Sequence, residues 1–461
     1  MAGSSAPAAA AQRKLTERRT RGTRVFERNL HVDLKTRKRL FNLCDPAEPL
    51  DPDDPRNVDI DALEGLDVPA RGRSWVDTLA RPIELAGRPT CTLFTGLRGS
   101  GVTTELLRLS ARLRDKKGAN LLPVLINAGE VLDLFSEIDV PDVLLAVLER
   151  TGNAVAIAEG KPMPDRVLPR FQKWLSDLSV DSSGPGDRPQ ASAILRTNPS
   201  ARAAFRARVG ISLSHFVAEV RDELTLLDGR ARRAGNNGIA VVFDSINHLR
   251  GTSMSWKAVL DSAERLFAIH ASYLELPVHV VYTVPAPLVF RLNAPIHFLP
   301  QIEIFDRTGR RSSGGFEAAR RLIRQRVPDT ILQEMLGSEA GDWVDRLIGW
   351  SGGKVQDLVR LLQSVIAEPS FERQRLEQLF SLTGETYRHA VPESAHAWLA
   401  RVHVEKTLSI RDQHRDETAD LMLLNGVVLR YQDDDAWFDI HPAVQSIPGI
   451  AQAINQLQRE P

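Results

Sequence analysis

The stretch CTLFTGLRGSGVTTELLRL, residues 91–109, decides how the chain is read. Its apolar start has the make-up of a buried strand, and from Thr103 onward TTELLRLSARLRDKKG repeats apolar residues at helical spacing. Between the two, Gly96, Gly99 and Gly101 fall in the pattern G-x-x-x-x-G-x-T, which ends on Thr103. Glycines let the backbone curl so that successive N–H groups point inward, and the following helix adds its positive dipole end. Together these cradle a di- or triphosphate. The candidate phosphate contacts are therefore Gly96, Arg98, Gly99, Ser100, Gly101, Val102, Thr103 and Thr104, with Thr103 placed to ligate Mg²⁺. A plain glycine-rich turn is the competing explanation, and the strand and helix on either side argue against it.

One position breaks the pattern. A phosphate loop carries lysine before its Ser/Thr, and here Val102 stands there. A valine offers neither charge nor donor. Losing one charge-assisted hydrogen bond weakens triphosphate binding roughly tenfold to a hundredfold, and hydrolysis suffers further because the same charge stabilises the transferring phosphoryl group. A second apolar strand, GIAVVFDSINHL, ends in Asp244, suited to hold Mg²⁺ directly or through water. Three residues later, where an acid polarises the attacking water in ATP-hydrolysing proteins, the chain has Asn247. Thr283 closes the strand PVHVVYTV, where a polar residue can sense a γ-phosphate; it also reads as an ordinary strand-end threonine.

Working outward, strands alternate with helices. CTLFTG, LLPVLINA, GIAVVFD and the near-continuously apolar PVHVVYTV are separated by helical runs such as PDVLLAVLERTGNAVA, SLSHFVAEVRDELTLLDGRARR and SWKAVLDSAERLFAIHAS. KWLSDLSVDSSGPGDRPQASA reads as a Gly/Pro/Ser loop. This alternation predicts an α/β fold with a doubly wound parallel sheet over residues 74–300. Strands then give way to FEAARRLIRQRV, AGDWVDRLIGWS and KVQDLVRLLQSVI, a helical lid over residues 301–390. Residues 391–461 end in two short strand candidates, VVLRY and WFDIH, around the turn QDDDA, a winged-helix-like pattern.

The 461 residues are long enough for several domains, and 59 Lys and Arg balance 59 Asp and Glu, so no whole-molecule field calls for nucleic acid or membrane. Two cysteines, Cys44 and Cys91, cannot build a disulfide framework, and no run approaches the roughly 20 apolar residues of a membrane span. A cytoplasmic location is expected. Charge is nevertheless uneven. Residues 1–40 read as a flexible basic arm, with eleven Lys or Arg against three acids between Arg13 and Arg39. Residues 41–73 read as an acidic, extended lead-in, where the prolines of DPAEPLDPDDP forbid helix. The arm is either a contact for nucleic acid or an acidic partner, or a solvated tail neutralised by its neighbour.

The loop TGLRGSGVTTELLRL, together with PLDPDDPRNVDIDALEG, VVFDSINHLR, VVYTVPAPLVF, WSGGKVQDLVRLLQ and DDDAWFDIHPAV, resembles a bacterial family of AAA+-like ATPases close to the STAND group. The resemblance spans about residues 40 to 450. Active members of that family carry lysine in the loop, D-x-x-[DE] after the strand and S-G-G-x-P-R-[DE]-L in the lid. The resemblance therefore marks Val102, Asn247 and Gln356 as three degenerate positions, the last standing where an arginine would reach the γ-phosphate. It also implies that His441, in FDIHP, is a candidate contact to the β-phosphate, with a packed histidine as the alternative.

Three readings of function follow. The first is a pseudo-ATPase scaffold or switch in bacterial signalling or defence, holding ADP or ATP with Mg²⁺, with no catalytic residues of its own. It would act on a protein partner or separately encoded effector, and a homo-oligomer is compatible with it. The second is a slow but genuine ATPase in which Arg98 or a neighbouring subunit supplies the missing charge. The third is DNA binding through the arm and the winged helix, which Asp433, Asp434 and Asp435 in the wing disfavour.

Overall fold

The computed structural model describes residues 32–65, 69–161, 174, 191–368, 371–408 and 417–459. Most of the basic arm and most of the Gly/Pro/Ser loop therefore lie outside the described residues.

Five strands form one parallel sheet: β1 (Cys91–Gly96), β2 (Leu122–Asn127), β3 (Ile239–Asp244), β4 (His279–Thr283) and β5 (Ile296–Leu299), in the order β2-β3-β4-β1-β5. Every residue of β3 is buried, whereas burial along β2 is uneven. An inner strand covered on both faces reads as a continuous apolar run; an edge strand does not. Helices α1 (Leu34–Leu43), α2 (Trp75–Leu85) and α3 (Val102–Arg114) come before β2; α4 (Val140–Ala158), α5 (Ala191–Thr197), α6 (Pro199–Gly210) and α7 (Leu213–Arg233) before β3; and α8 (Trp256–Glu264) before β4. Phe94 and Val242 join α2 and α3 in one apolar layer, while Val241 and Phe243 join α4 and α7 in another. The sheet is thus doubly wound, as expected.

The chain leaves β1 for the far edge at β2 and returns through β3 and β4 before placing β5 on the other side of β1. Register then aligns the carboxyl ends, with Asn127 beside Asp244, Phe94 beside Thr283 and Gly96 beside Leu299. In open parallel sheets, ligand sites gather at these ends. β5 was not legible in the sequence: it has four residues, too few for periodicity to register.

Beyond the sheet come α9 (Ser313–Arg324), α10 (Asp329–Leu336), α11 (Ala340–Ser351), α12 (Val355–Ala367) and α13 (Arg373–His389). Their apolar faces enclose Leu322, Leu347 and Leu361. Leu40 of α1 is fully buried in the same cluster, and Arg37 donates to the Ile366 carbonyl. The end of the basic arm is therefore an ordered helix on the lid. The chain closes with α14 (His396–Glu405), α15 (Glu417–Leu424), the antiparallel hairpin β6 (Val428–Gln432) and β7 (Ala436–Ile440), and α16 (Pro448–Leu457). Arg291 anchors this last unit to the sheet domain, donating to Asp261 at 2.8 Å, Glu264 at 2.9 Å and Asp420 at 3.1 Å. Among the described residues no helix is long and apolar enough to cross a membrane.

Candidate functional site

The loop between β1 and α3 is shaped by its glycines. Gly99 and Gly101 have φ of +84° and +96°, a region that costs other residues strain. Gly96 needs its hydrogen for a different reason: a Cβ there would stand 2.6 Å from Val102 Cγ2 and 2.7 Å from Ser100 Oγ. Gly101 caps α3 without a side chain, leaving first-turn N–H groups facing the loop.

Residues 97–104 line a cleft of about 390 Å³, together with Asn247 from the segment after β3 and Gln356 from α12. Thr103 Oγ1 donates to Asp244 Oδ2 at 2.7 Å, and the Ser245 N–H donates to Asp244 Oδ1 at 2.6 Å. Burial pushes the Asp244 carboxyl up, against these two hydrogen bonds. A hydroxyl and a carboxylate this close suit Mg²⁺, a hard cation that takes oxygen ligands. The buried Ser100 hydroxyl has no hydrogen-bond partner among the described residues, which leaves one loop donor free for a ligand.

The three positions that the resemblance marks are distributed unevenly. Val102 is 6% exposed and joins the apolar cluster of Leu106 and Leu299, so its side chain adds no polar group to the cleft. Asn247 lines the cleft with a buried Oδ1 that has no partner among the described residues. Gln356 sits directly on the loop: its N–H donates to the Gly99 carbonyl at 3.1 Å, and its Nε2 donates to the Pro46 carbonyl at 3.1 Å. Arg98 is exposed at the loop tip.

Two candidates stand outside the cleft. Thr283 is fully buried, its hydroxyl accepting from the Ile246 N–H at 2.9 Å and donating to the Phe243 carbonyl at 3.2 Å, so it is spent on the backbone of its neighbour. His441 is also fully buried. It stacks on Tyr387 at 4.1 Å between ring centres, its Nδ1 accepts from the Ala443 N–H at 3.1 Å, and its Nε2 lies 3.3 Å from Asp357 Oδ2. The ring is enclosed by the lid and does not line the cleft.

Other contributors were not legible in the sequence. The acidic lead-in folds over the loop, and its Pro49, Val58 and Ile60 line the cleft with Leu322 and Val359 of the lid, the last four joining one apolar cluster. Arg326 lines the same wall at 6% exposure with no ion pair among the described residues, and burial lowers its pKa. Beneath the loop, Arg71 bridges Asp61, at 2.9 and 2.7 Å, to Glu105 at 2.7 Å. Burial pushes Glu105 up, but Arg71 and Arg108 outweigh it and hold it ionised. The alternating charges of the lead-in were the available signal, without an indication of which acid meets which arginine.

No family model matches the chain, and no curated protein matches it. Among solved structures it is similar to the Walker-type ATPase PABY2304 of Pyrococcus abyssi, at 15% identity and a TM-score of 0.36, over 82% of this chain and 95% of that one. It is also similar to the ADP form of the Aeropyrum pernix ORC2 protein, at 12% identity and a TM-score of 0.36, over 90% and 97% of the two chains. Cdc6p from Pyrobaculum aerophilum follows at 11% identity and a TM-score of 0.30, over 83% and 93%. At such scores nothing further follows from the likeness, and the fold rests on the strand order and the loop.

Proposed function

We propose that this chain is an AAA+, STAND-like nucleotide-binding scaffold or switch that holds ADP or ATP with Mg²⁺ and does not hydrolyse ATP efficiently. The observation that carries the proposal is the contrast within one loop. The positive-φ glycines and the Thr103–Asp244 pair are present, while the lysine position is a valine sunk in the apolar cluster. Such a loop can grip the inner phosphates and lacks the charge that stabilises transfer of the outermost one. Thr103 and Asp244 would hold Mg²⁺, which would supply positive charge beside the phosphates, and the loop N–H groups would orient the phosphates.

Loop, lead-in and lid all line the cleft, so a bound nucleotide stabilises the arrangement that contacts it best and can set a state without turnover. On this reading the output comes through a protein partner in bacterial signalling or defence, in the cytoplasm, with the C-terminal unit as a winged-helix-like module. The test is to denature the purified full-length protein, identify any released nucleotide by ion-exchange chromatography, and measure phosphate release from ATP. Recovered ADP or ATP with negligible turnover supports the proposal; brisk, magnesium-dependent turnover abolished by Asp244→Ala refutes it.

A second reading, a slow ATPase, draws support from Lys354. A Cβ on Gly99 would lie 3.0 Å from Lys354 Cε, so a lysine from the lid packs against the loop. Slow turnover lost in both Asp244→Ala and Lys354→Met would favour it.

A further inference from the structure

A second cleft, of about 510 Å³, lies on the other side of Arg98 and Gln356 from the first. Four cationic side chains line it: Arg98 from the loop, Arg250 from the segment after β3, and Lys354 and Arg360 from the lid. Among the described residues that line it there is no carboxylate. Asp357 is fully buried, 2.7 Å from Arg360 and 3.5 Å from Lys354. One carboxylate thus faces two of the four cations. Arg98 and Arg250 have no side-chain hydrogen bond or ion pair among the described residues and are exposed at the cleft.

Lys354 is 5% exposed, and its ammonium donates to Tyr387 Oη at 2.7 Å. Burial lowers its pKa, Asp357 opposes that, and Arg360 and Arg250 push it lower still. Cations that repel one another in a concave site are stabilised by an anion that enters it. Trp256 and Leu424 also line the cleft.

We propose that this cleft is a second anion site that takes an oligophosphate, either free or carried by a nucleotide. Two adjoining phosphate groups match four converging cations better than one does, and an arginine fork suits phosphate geometry. The concave site, of about 510 Å³ and bounded by loop, lid and C-terminal unit, favours a small molecule over a nucleic-acid strand. Through Arg98 and Gln356 its occupant would touch the same elements as the first cleft. The inference does not rest on the nucleotide reading of the phosphate loop, because its cations come mainly from other elements.

The experiment is calorimetric titration of the full-length chain with sodium tripolyphosphate at low ionic strength, in wild type, Arg250→Ala, Arg250→Ala/Arg360→Gln and Thr103→Ala. The expected result is a binding equivalent that weakens at least about tenfold in Arg250→Ala, in proportion to one charge-assisted contact. It should be abolished in the double variant and retained in Thr103→Ala. Failure of the phosphate-loop reading removes only an equivalent that is independent of Arg250. A parallel ATP titration separates the sources: if Trp256→Ala weakens an Arg250-dependent equivalent of ATP but not of tripolyphosphate, the ligand is a nucleotide, and otherwise it is a free oligophosphate. Tripolyphosphate binding indifferent to Arg250 overturns the proposal. So does an Arg250-dependent site that takes labelled single-stranded DNA but no tripolyphosphate. Unchanged melting of Arg250→Ala, whose side chain is exposed, guards against a folding artefact.

Discussion

The backbone N–H of Gln356 donates to the carbonyl of Gly99 at 3.1 Å, so the first turn of the lid helix α12 rests on the phosphate loop itself. Anything that moves the loop moves the lid. The contact is possible because Gly99 has no Cβ: one placed there would stand 2.6 Å from Gln356 Cβ.

Gly99→Ala therefore meets both a clash and a backbone at φ +84° that alanine resists. The expected loss is about 1–3 kcal/mol of stability, together with weaker nucleotide retention as the lid is pushed from the loop. Urea unfolding and ADP binding measure the two effects, and unchanged values in both would show that the contact is dispensable.

Val102→Lys asks a buried apolar position to release its side chain toward the cleft. Affinity for ADP should rise roughly tenfold to a hundredfold, the worth of one charge-assisted contact. Calorimetry on the variant reads this directly, and no gain would mean that the loop cannot direct a lysine inward.

Arg71 is 1% exposed and is shared by Asp61 and Glu105. Arg71→Leu leaves the buried Asp61 without its cation and Glu105 with Arg108 alone, which costs about 3–5 kcal/mol. Because Asp61 belongs to the lead-in and Glu105 to α3, limited proteolysis should cut the lead-in faster in this variant. Equal cleavage of both proteins would count against the clamp.

Glu303 has its pKa raised to about 7 from 4.5, first by burial and then by the charges of Asp433 and Asp306. A folded-state value above the unfolded one gives stability that is complete below pH 4.5 and lost as pH rises through about 7. Glu303→Gln removes this loss, so its advantage over wild type should grow across that window to on the order of 1–3 kcal/mol. Melting temperatures of the two proteins from pH 4 to pH 8 test the sign; a constant difference would refute it.

Thr103→Ala deletes the 2.7 Å hydrogen bond to Asp244 and one hydroxyl oxygen from the cleft. Nucleotide should still bind, while the gain in affinity on adding Mg²⁺ should disappear. Titrations with Mg²⁺ and with EDTA provide the comparison.

Local features of the sequence carry much of this. The strand, the glycine spacing and the helix of residues 91–109 are each legible within a short window, and β3 and β4 announce their double burial through unbroken apolar runs. Val102, Asn247 and Gln356 can be picked out because each departs from a motif of known spacing. Less is legible where partners are distant along the chain. His441 and Asp357 lie 84 positions apart, from 441 − 357, and nothing local says that one encloses the other. The Pro-rich lead-in excludes helix, which is a negative statement; its course over the loop depends on Arg71 finding Asp61 and Glu105.

The amino-acid order by itself determined the layered α/β architecture and the glycine-shaped turn between β1 and α3, because periodicity and glycine spacing act over a few residues. Only the tertiary structure decided what roofs that loop, that Gln356 touches it, that Thr283 and His441 are withdrawn from it, and that four cations from three segments meet in a second cleft. Those outcomes arise from packing and charge pairing between residues far apart along the chain, and no short window of sequence records such pairings.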